Sequence, residues 1–454
     1  MIKKMLKDKK FFNHINLFIK QKLNSMKLDK FYNQLKLRKL KLRYIFLLLY
    51  ILIKSFFFII KQKKLKENFF FDESTYFATW EIATQAFTSH EIDINNFSIR
   101  QIVRVSLAGE KVRLKISNKE GQNNLEIRKA CIADLVAKSE VDLKTMKFLT
   151  FNGKYNVNIN KGEEVYSDTI SYSIKALSDI AISIYFGKVP QEISGHLLSR
   201  TYSYFEKGYK IRKRLFSNKK KISHWYFISA LEISSNLPKK IIVCFGDSIT
   251  DGASGTSDAR NNYPDILSSE LHKNEITSDI SVLNKGIDGN RITTQGILRY
   301  EDDVLNIKGV KYIVLLFGVN DINALNSTSS EIIPIYRALI KKAHERNIFI
   351  YAGTILPFAG YVTENSEWNM EKEKERKDVN QWIRTTKPDE GGFDAFFDFD
   401  KLMKDPKDEK FLETIYDCGD GFHPSLKGYE KMVEIICSDL SLFTKIPKFL
   451  CKQW

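Results

Sequence analysis

A hydroxyl able to attack a carbonyl stands at Ser248, in Gly246-Asp247-Ser248-Ile249, directly after the apolar run Ile241-Ile242-Val243-Cys244-Phe245. A short buried strand running into such a turn leaves the hydroxyl at the carboxyl edge of a sheet, where open α/β sheets bind ligands. Three later segments follow in a fixed order, two of them also closing apolar runs: Asn284-Lys285-Gly286-Ile287-Asp288-Gly289-Asn290-Arg291, Gly318-Val319-Asn320-Asp321 and Asp420-Gly421-Phe422-His423-Pro424. Singly, each has an ordinary reading. Gly-rich turns follow many strands, Asn-Asp is a common helix cap, and a lone His is usually structural. Together they supply the parts of one reaction.

Serine is a weak nucleophile and needs an adjacent base that is itself oriented by a third group. Asp420 and His423 are three residues apart, so one loop can carry both orienter and base. The imidazole then offers one nitrogen to Ser248 and the other to the carboxylate. The oxyanion of a tetrahedral intermediate needs preorganised donors. The Ser248 N–H, the Gly289 N–H and the Asn320 side-chain amide are the candidates. Glycine permits close backbone approach, and Asn donates without bringing negative charge.

These segments resemble, in order and spacing, four sequence blocks of the SGNH (GDSL-type) hydrolase superfamily: Ser, Gly, Asn and Asp-x-x-His. The resemblance covers about residues 238–445. It implies Ser248 as nucleophile, His423 as base, Asp420 as orienting acid, and Gly289 and Asn320 as oxyanion donors alongside Ser248. Longer strings are similar to one branch, secreted esterases found with xylan-degrading enzymes that carry an additional N-terminal β-domain. These strings are Gly246 to Gly252, Tyr263-Pro264-Asp265, Gly289-Asn290-Arg291, Asn380-Gln381-Trp382-Ile383-Arg384 and Asp417 to Gly421.

The elements that must position these residues are legible in changes of texture along the 454 residues. From about Phe71 to Leu237 the pattern alternates with period two. Val112, Leu114 and Ile116 interleave with Lys111, Arg113 and Lys115. Ile180, Ile182, Ile184 and Phe186 interleave with Ala181, Ser183 and Tyr185. Short strands with one apolar face and intervening turns predict an antiparallel, jelly-roll-like sandwich over 71–237. Trp80 and Trp225 could stack on sugars, though as single residues on alternating strands they read as core.

From 238 to 447 apolar runs at 241–245, 281–285, 312–317, 347–353 and 394–399 are separated by helical stretches near 263–272, 331–345 and 427–441, and by one carrying Val379, Trp382 and Ile383. Strand–helix alternation predicts a parallel sheet covered on both faces, a flavodoxin-like three-layer α/β/α sandwich.

Residues 1–66 form a third part. The net charge of +16 would suggest nucleic acid or an anionic surface, but residues 1–43 hold 14 Lys and Arg against 2 acids, which accounts for +12 of it. The remainder has no basic stripe interleaved with aromatics, so nucleic-acid binding by the folded part is not expected. The run 44–60 is almost wholly apolar, interrupted by Lys54 and Ser55 and followed by Lys61, Lys63, Lys64 and Lys66. It predicts an uncleaved signal-anchor with the catalytic part exported. A cleaved signal and secretion, or an interfacial or buried helix, are the alternatives. The five cysteines, Cys131, Cys244, Cys418, Cys437 and Cys451, follow no zinc or disulfide spacing. Neither cofactor nor metal is called for.

The sequence thus predicts a serine esterase removing small acyl groups, acetyl above all, from carbohydrate. A lysophospholipase or general short-chain esterase is the alternative within the same chemistry. A membrane-tethered glycan-binding protein with an inactive hydrolase domain is the alternative from another class, opposed by the intact Ser, Gly, Asn, Asp and His.

Overall fold

The computed structural model describes residues 75–88, 93–217, 219–363 and 366–444. The predicted anchor at 44–60 and Cys451 lie outside these residues. Among the described residues no helix is long and apolar enough to cross a membrane.

Antiparallel pairing dominates up to Ser234. One sheet runs in the order Tyr76–Glu81, Ile228–Ser234, Gly109–Ser117, Ile170–Ile174. A second is centred on Phe97–Arg104, Asp179–Phe186 and Leu125–Ala137. Alternate residues of both sheets, Val112, Leu114, Ile116 and Leu231 from one and Ile99, Ile132, Ile180 and Ile184 from the other, share one core. Burying each such side chain stabilises the fold by about 1.5–3 kcal/mol. Trp80 and Trp225 belong to this core and meet edge-to-face with centroids 5.1 Å apart. The Trp225 indole N–H donates to the Ile102 carbonyl at 3.0 Å, so neither ring is a sugar platform.

The alternation misleads at one place. Ala181 and Ser183, on the face predicted to meet water, are buried. A second layer made of Tyr204, Phe216 and Val141 covers them. Its polar pin is Arg100, wholly buried, which donates to the Ser183 hydroxyl at 2.9 Å and to the Lys213 carbonyl at 2.7 Å and stacks over Phe216 at 4.1 Å. A guanidinium has enough donors to satisfy loop carbonyls that no strand could reach.

From Lys240 the pairing is parallel, in the order Ile280–Gly286, Lys240–Gly246, Val310–Leu316, Phe349–Gly353, Ala395–Phe397. This is the flavodoxin-like order 2-1-3-4-5. The helices Tyr263–His272 and Leu426–Cys437 pack together, as do Ser329–Glu345 and Met370–Thr385. Their starts are encoded locally: Asn262 caps the first with Pro at its opening, Ser425 caps the helix Leu426–Cys437, and Thr328 with Glu331 forms a capping box. The last helix ends earlier than predicted, at Cys437. Asp439 then turns its carboxylate onto the Ser441 N–H and starts the separate short 3-10 turn Leu440–Phe443. All five parallel strands fall within about three residues of their predicted bounds.

The two regions belong to one compact unit. Polar contacts tie them together. The Ser106 hydroxyl donates to the Val282 carbonyl and the Ser281 hydroxyl to the Ala78 carbonyl, both at 2.9 Å. The buried Lys285 ammonium reaches the Ile82 carbonyl at 2.6 Å and Glu81 at 3.1 Å.

Candidate active site

Ser248 opens the one-turn helix Ser248–Asp251 directly after the strand Lys240–Gly246. Asp247 caps that helix, accepting from the Ile249 N–H, and Gly252 ends it at φ 104°, a left-handed conformation costly for any residue with a Cβ. As the first helical residue, Ser248 has an N–H with no acceptor inside the helix. Asn320 follows the neighbouring strand Val310–Leu316, in the first turn of the helix Val319–Leu325. Asp288 and Gly289 follow the strand on the other side, Ile280–Gly286. The three segments therefore meet where the strand order reverses, the place an open α/β sheet leaves a crevice.

The loop bearing Asp420 and His423 returns to this point from the C-terminal side. The Ser248 Oγ lies 2.9 Å from His423 Nε2, and His423 Nδ1 lies 2.6 Å from Asp420 Oδ2. The Asp420 Oδ1 also accepts the N–H groups of Phe422 and His423 at 2.9 and 2.8 Å. Partial burial alone would raise the Asp420 pKa, but the bonds from the His423 ring and backbone outweigh it and hold the carboxyl well below its usual range. Nδ1 thus donates to a carboxylate, leaving the Nε2 lone pair for the serine hydroxyl.

The loop is locked by its own chemistry. Asp417 accepts from the Gly419 and Gly421 N–H groups, and the Ser254 hydroxyl donates to the Pro424 carbonyl. Gly421, at φ 73°, lies so close to Gly360 that an added Cβ would fall 2.3 Å from the Gly360 carbonyl carbon. Tyr361 then lies edge-on to the His423 ring, with centroids 6.4 Å apart.

The oxyanion candidates are braced from two sides. The Asn320 side-chain amide donates to the Asn290 carbonyl at 3.2 Å, which leaves its second N–H free to bind. Arg299 is half-buried and divides donors among Asn290 Oδ1, the Lys285 carbonyl and the Gly246 carbonyl at 2.8–2.9 Å. It ties the ends of two strands to the loop bearing Gly289. Asp321 caps no helix of its own; it accepts from the Ile292 and Thr293 N–H groups at 2.9 Å and fixes the segment after that loop.

With this geometry established, the comparisons bear on what it belongs to. Residues 244–431 match the model of the GDSL-like Lipase/Acylhydrolase family, a span that includes Ser248 and runs past His423. The chain carries a GDSL-like lipase/acylhydrolase domain. It is an ester-hydrolysing enzyme. Solved structures similar to part of this chain include a lipolytic protein of the G-D-S-L family from Desulfitobacterium hafniense, 21% identical over 44% of this chain and 98% of that one, with a TM-score of 0.35. Another is a GDSL-like lipase from Bacteroides thetaiotaomicron, 22% identical over 44% of this chain and 86% of that one, TM-score 0.35. A third is an acetyl xylan esterase, 22% identical over 44% and 99%, TM-score 0.35. No curated protein sequence matches the chain.

The five candidate site residues lie at this corner: Ser248, Asp420 and His423 in one hydrogen-bonded row, Gly289 and Asn320 on the adjoining segments. Sequence reading missed the second shell of ionic contacts behind them. His196 and Arg200 come from the β-rich region and reach Asp251 and Asp288 of the GDSL-like domain. Asp251 stood in the quoted string after Ser248, but nothing in the chain signalled its partner 55 residues away. Asp247 is also buried, with one carboxylate oxygen lacking a hydrogen bond among the described residues. Burial, opposed by the Ile249 N–H and reinforced by Asp321 and Asp288, pushes its pKa up to about 8. The side chains of Asp417, Cys418 and Asp420 also lie within 4.8 Å of one another, although Asp420 is committed to His423.

Proposed function

We propose that the protein is a serine esterase that removes small acyl groups, acetyl above all, from carbohydrate. One observation carries the catalytic part: the row Ser248 Oγ, His423 Nε2, His423 Nδ1, Asp420 Oδ2, at 2.9 and 2.6 Å. Ser248 Oγ attacks the ester carbonyl carbon while His423 Nε2 takes its proton. The carbonyl oxygen becomes an oxyanion held by the N–H groups of Ser248 and Gly289 and by the Asn320 amide. Collapse breaks the bond to the sugar oxygen, which leaves with the proton from His423. Water then attacks the acyl-serine with His423 again as base, releasing acetate and restoring Ser248. Asp420 holds the tautomer throughout.

The preference for acetylated carbohydrate rests on the longer strings, from Gly246 to Gly252 and from Asn380 to Arg384, that resemble the xylan-esterase branch. Export of the catalytic part rests on the Lys-flanked apolar run 44–60. The test is acetate release by the full-length protein from acetylated xylan oligosaccharides, with lysophospholipid and p-nitrophenyl acetate in parallel. Ser248→Ala should lower kcat by about 10⁶. Retention of more than roughly a few per cent of the rate, or fatty-acid release outrunning acetate release, would overturn the respective half of the reading.

A further inference from the structure

The β-rich region reaches into this corner with two basic side chains, the buried His196 and the mostly covered Arg200. His196 ends the strand Glu192–His196, and its Nε2 lies 2.9 Å from Asp251 Oδ1 on the nucleophile helix. Four residues on, Arg200 sits in a left-handed turn at φ 54°, its carbonyl accepting the Asp258 N–H at 2.8 Å. One terminal nitrogen of Arg200 donates to both carboxylate oxygens of Asp288 at 2.9 Å and lies 3.5 Å from Asp251 Oδ2. Arg200 and Asp251 have only 14% and 6% of their side-chain surface exposed. Asp288 immediately precedes Gly289, whose φ of 70° commits that peptide to a turn. A single guanidinium therefore bridges the helix that begins with Ser248 and the loop that holds Gly289.

Those two segments carry two of the three oxyanion donors, and Gly289 lies in the loop between the strand Ile280–Gly286 and the helical turn that begins at Ile292. An oxyanion hole works only if its donors stand at about 2.7–3.1 Å from the place the charge will occupy. Loops are the softest part of a fold. From the other direction Arg299 and Asn320 hold Asn290, but nothing on that side touches Asp288 among the described contacts. Arginine suits the task because it stays charged and presents a rigid planar fork.

We propose that Arg200 is a positioning residue for the esterase reaction: by holding Asp288 against Asp251 it sets the separation of the Gly289 and Ser248 N–H groups, so the β-rich region completes the active site. The inference rests on the reading of Ser248, Gly289 and Asn320 given above. Arg200 acts through Asp288 and does not touch the reacting atoms.

The test measures kcat and KM of the full-length protein with p-nitrophenyl acetate, together with thermal melting. Outright loss of one oxyanion donor costs about 10²–10³ in kcat, and a displaced donor should cost less. Arg200→Ala should lower kcat roughly 10–100-fold with KM changed less than about twofold. Asp288→Asn, which keeps the shape and removes the charge, should do the same where Arg200→Ala fails to fold. The double variant should fall no further than the larger single one, because both remove the same contact. Unchanged kcat in the folded variants would make the contact purely structural. A raised KM at constant kcat would make Arg200 a substrate contact, and additive losses would separate it from Asp288. Each of these overturns the inference. Ser248→Ala, run alongside, separates the two failures: activity surviving in that variant would sink the reading of the site itself, whereas an inert Ser248→Ala with a fully active Arg200→Ala would sink only the role of Arg200.

Discussion

Two histidine–aspartate pairs meet around Ser248, and they differ in almost everything but their chemistry. His423 and Asp420 are three residues apart in one loop, bonded at 2.6 Å, with 16% and 38% of their side chains exposed. His196 and Asp251 come from different regions, are bonded at 2.9 Å, and are 3% and 6% exposed. What separates them is the second ring nitrogen. In His423 it faces a hydroxyl, which can give up a proton. In His196 it faces the Ala83 carbonyl at 2.8 Å, an oxygen that can only accept. His196 must keep a proton on Nδ1, so its ring has no lone pair there to use as a base. One pair therefore presents a ring nitrogen to a serine hydroxyl, as the proposed mechanism needs, and the other serves as a tether.

Burial alters the tether's charge as well. For His196, burial would lower the pKa, but the adjacent Asp251 outweighs it and the net shift is upward. Burial pushes Asp251 up to about 6, even against the pull of His196 and Arg200. Both shifts keep the shared proton in the pair. A buried ion pair of this kind adds little net stability over an apolar substitute, yet removing one partner leaves the other stranded.

That contrast can be broken by experiment. The largest effect should come from the exposed pair. Asp420→Asn should lower kcat by about 10²–10⁴, because the imidazole loses its enforced tautomer, with little change in melting temperature. An equal loss of stability and activity would show that Asp420 is structural. The converse is expected of the buried pair. His196→Ala should cost about 3–5 kcal/mol of stability in denaturant titrations, while kcat per folded molecule stays within about tenfold. A stable but inactive His196→Ala would transfer His196 to the catalytic machinery.

A third carboxylate sharpens the comparison: among the described residues Asp247 forms no ion pair. Asp247 accepts the Ile249 N–H, lies near Asp321 and Asp288, and is pushed by burial to a pKa of about 8. The sign follows from proton counts. The native state binds a proton that the unfolded chain has already released, so stability must fall as pH rises from the ordinary aspartate range through about 8. The slope is at most about 1.4 kcal/mol per pH unit. Unfolding free energies measured between pH 5 and 9 should show this decline in the wild type and a shallower one in Asp247→Asn. Identical slopes would mean that Asp247 is ionised in the native state.

Much of this protein was legible without coordinates. Ser248, Gly289 and Asn320 each follow an apolar run, and a run of that length bounded by glycine leaves little choice but a buried strand with the residue at its end. The strands Lys240–Gly246 and Ile280–Gly286 lie within about one residue of expectation for that reason. Where reading failed, the deciding contact was distant. Ala181 and Ser183 look like a solvent face until Phe216 and Tyr204 are folded over them. Trp80 and Trp225 could have faced either way, and packing turned both inward.

The sequence by itself determined the candidate site residues Ser248, Asp420, His423, Gly289 and Asn320, the alternation of strands and helices, and the change from antiparallel to parallel pairing. These depend on periodicity and on spacings of a few residues, which backbone geometry converts directly into position. Only the tertiary structure decided that His196 answers Asp251 and Arg200 answers Asp288, across 55 and 88 residues of chain. No local rule couples such residues. They meet because two sheets and their crossover helices pack in one way, and because a charge buried by that packing is stable only beside a partner.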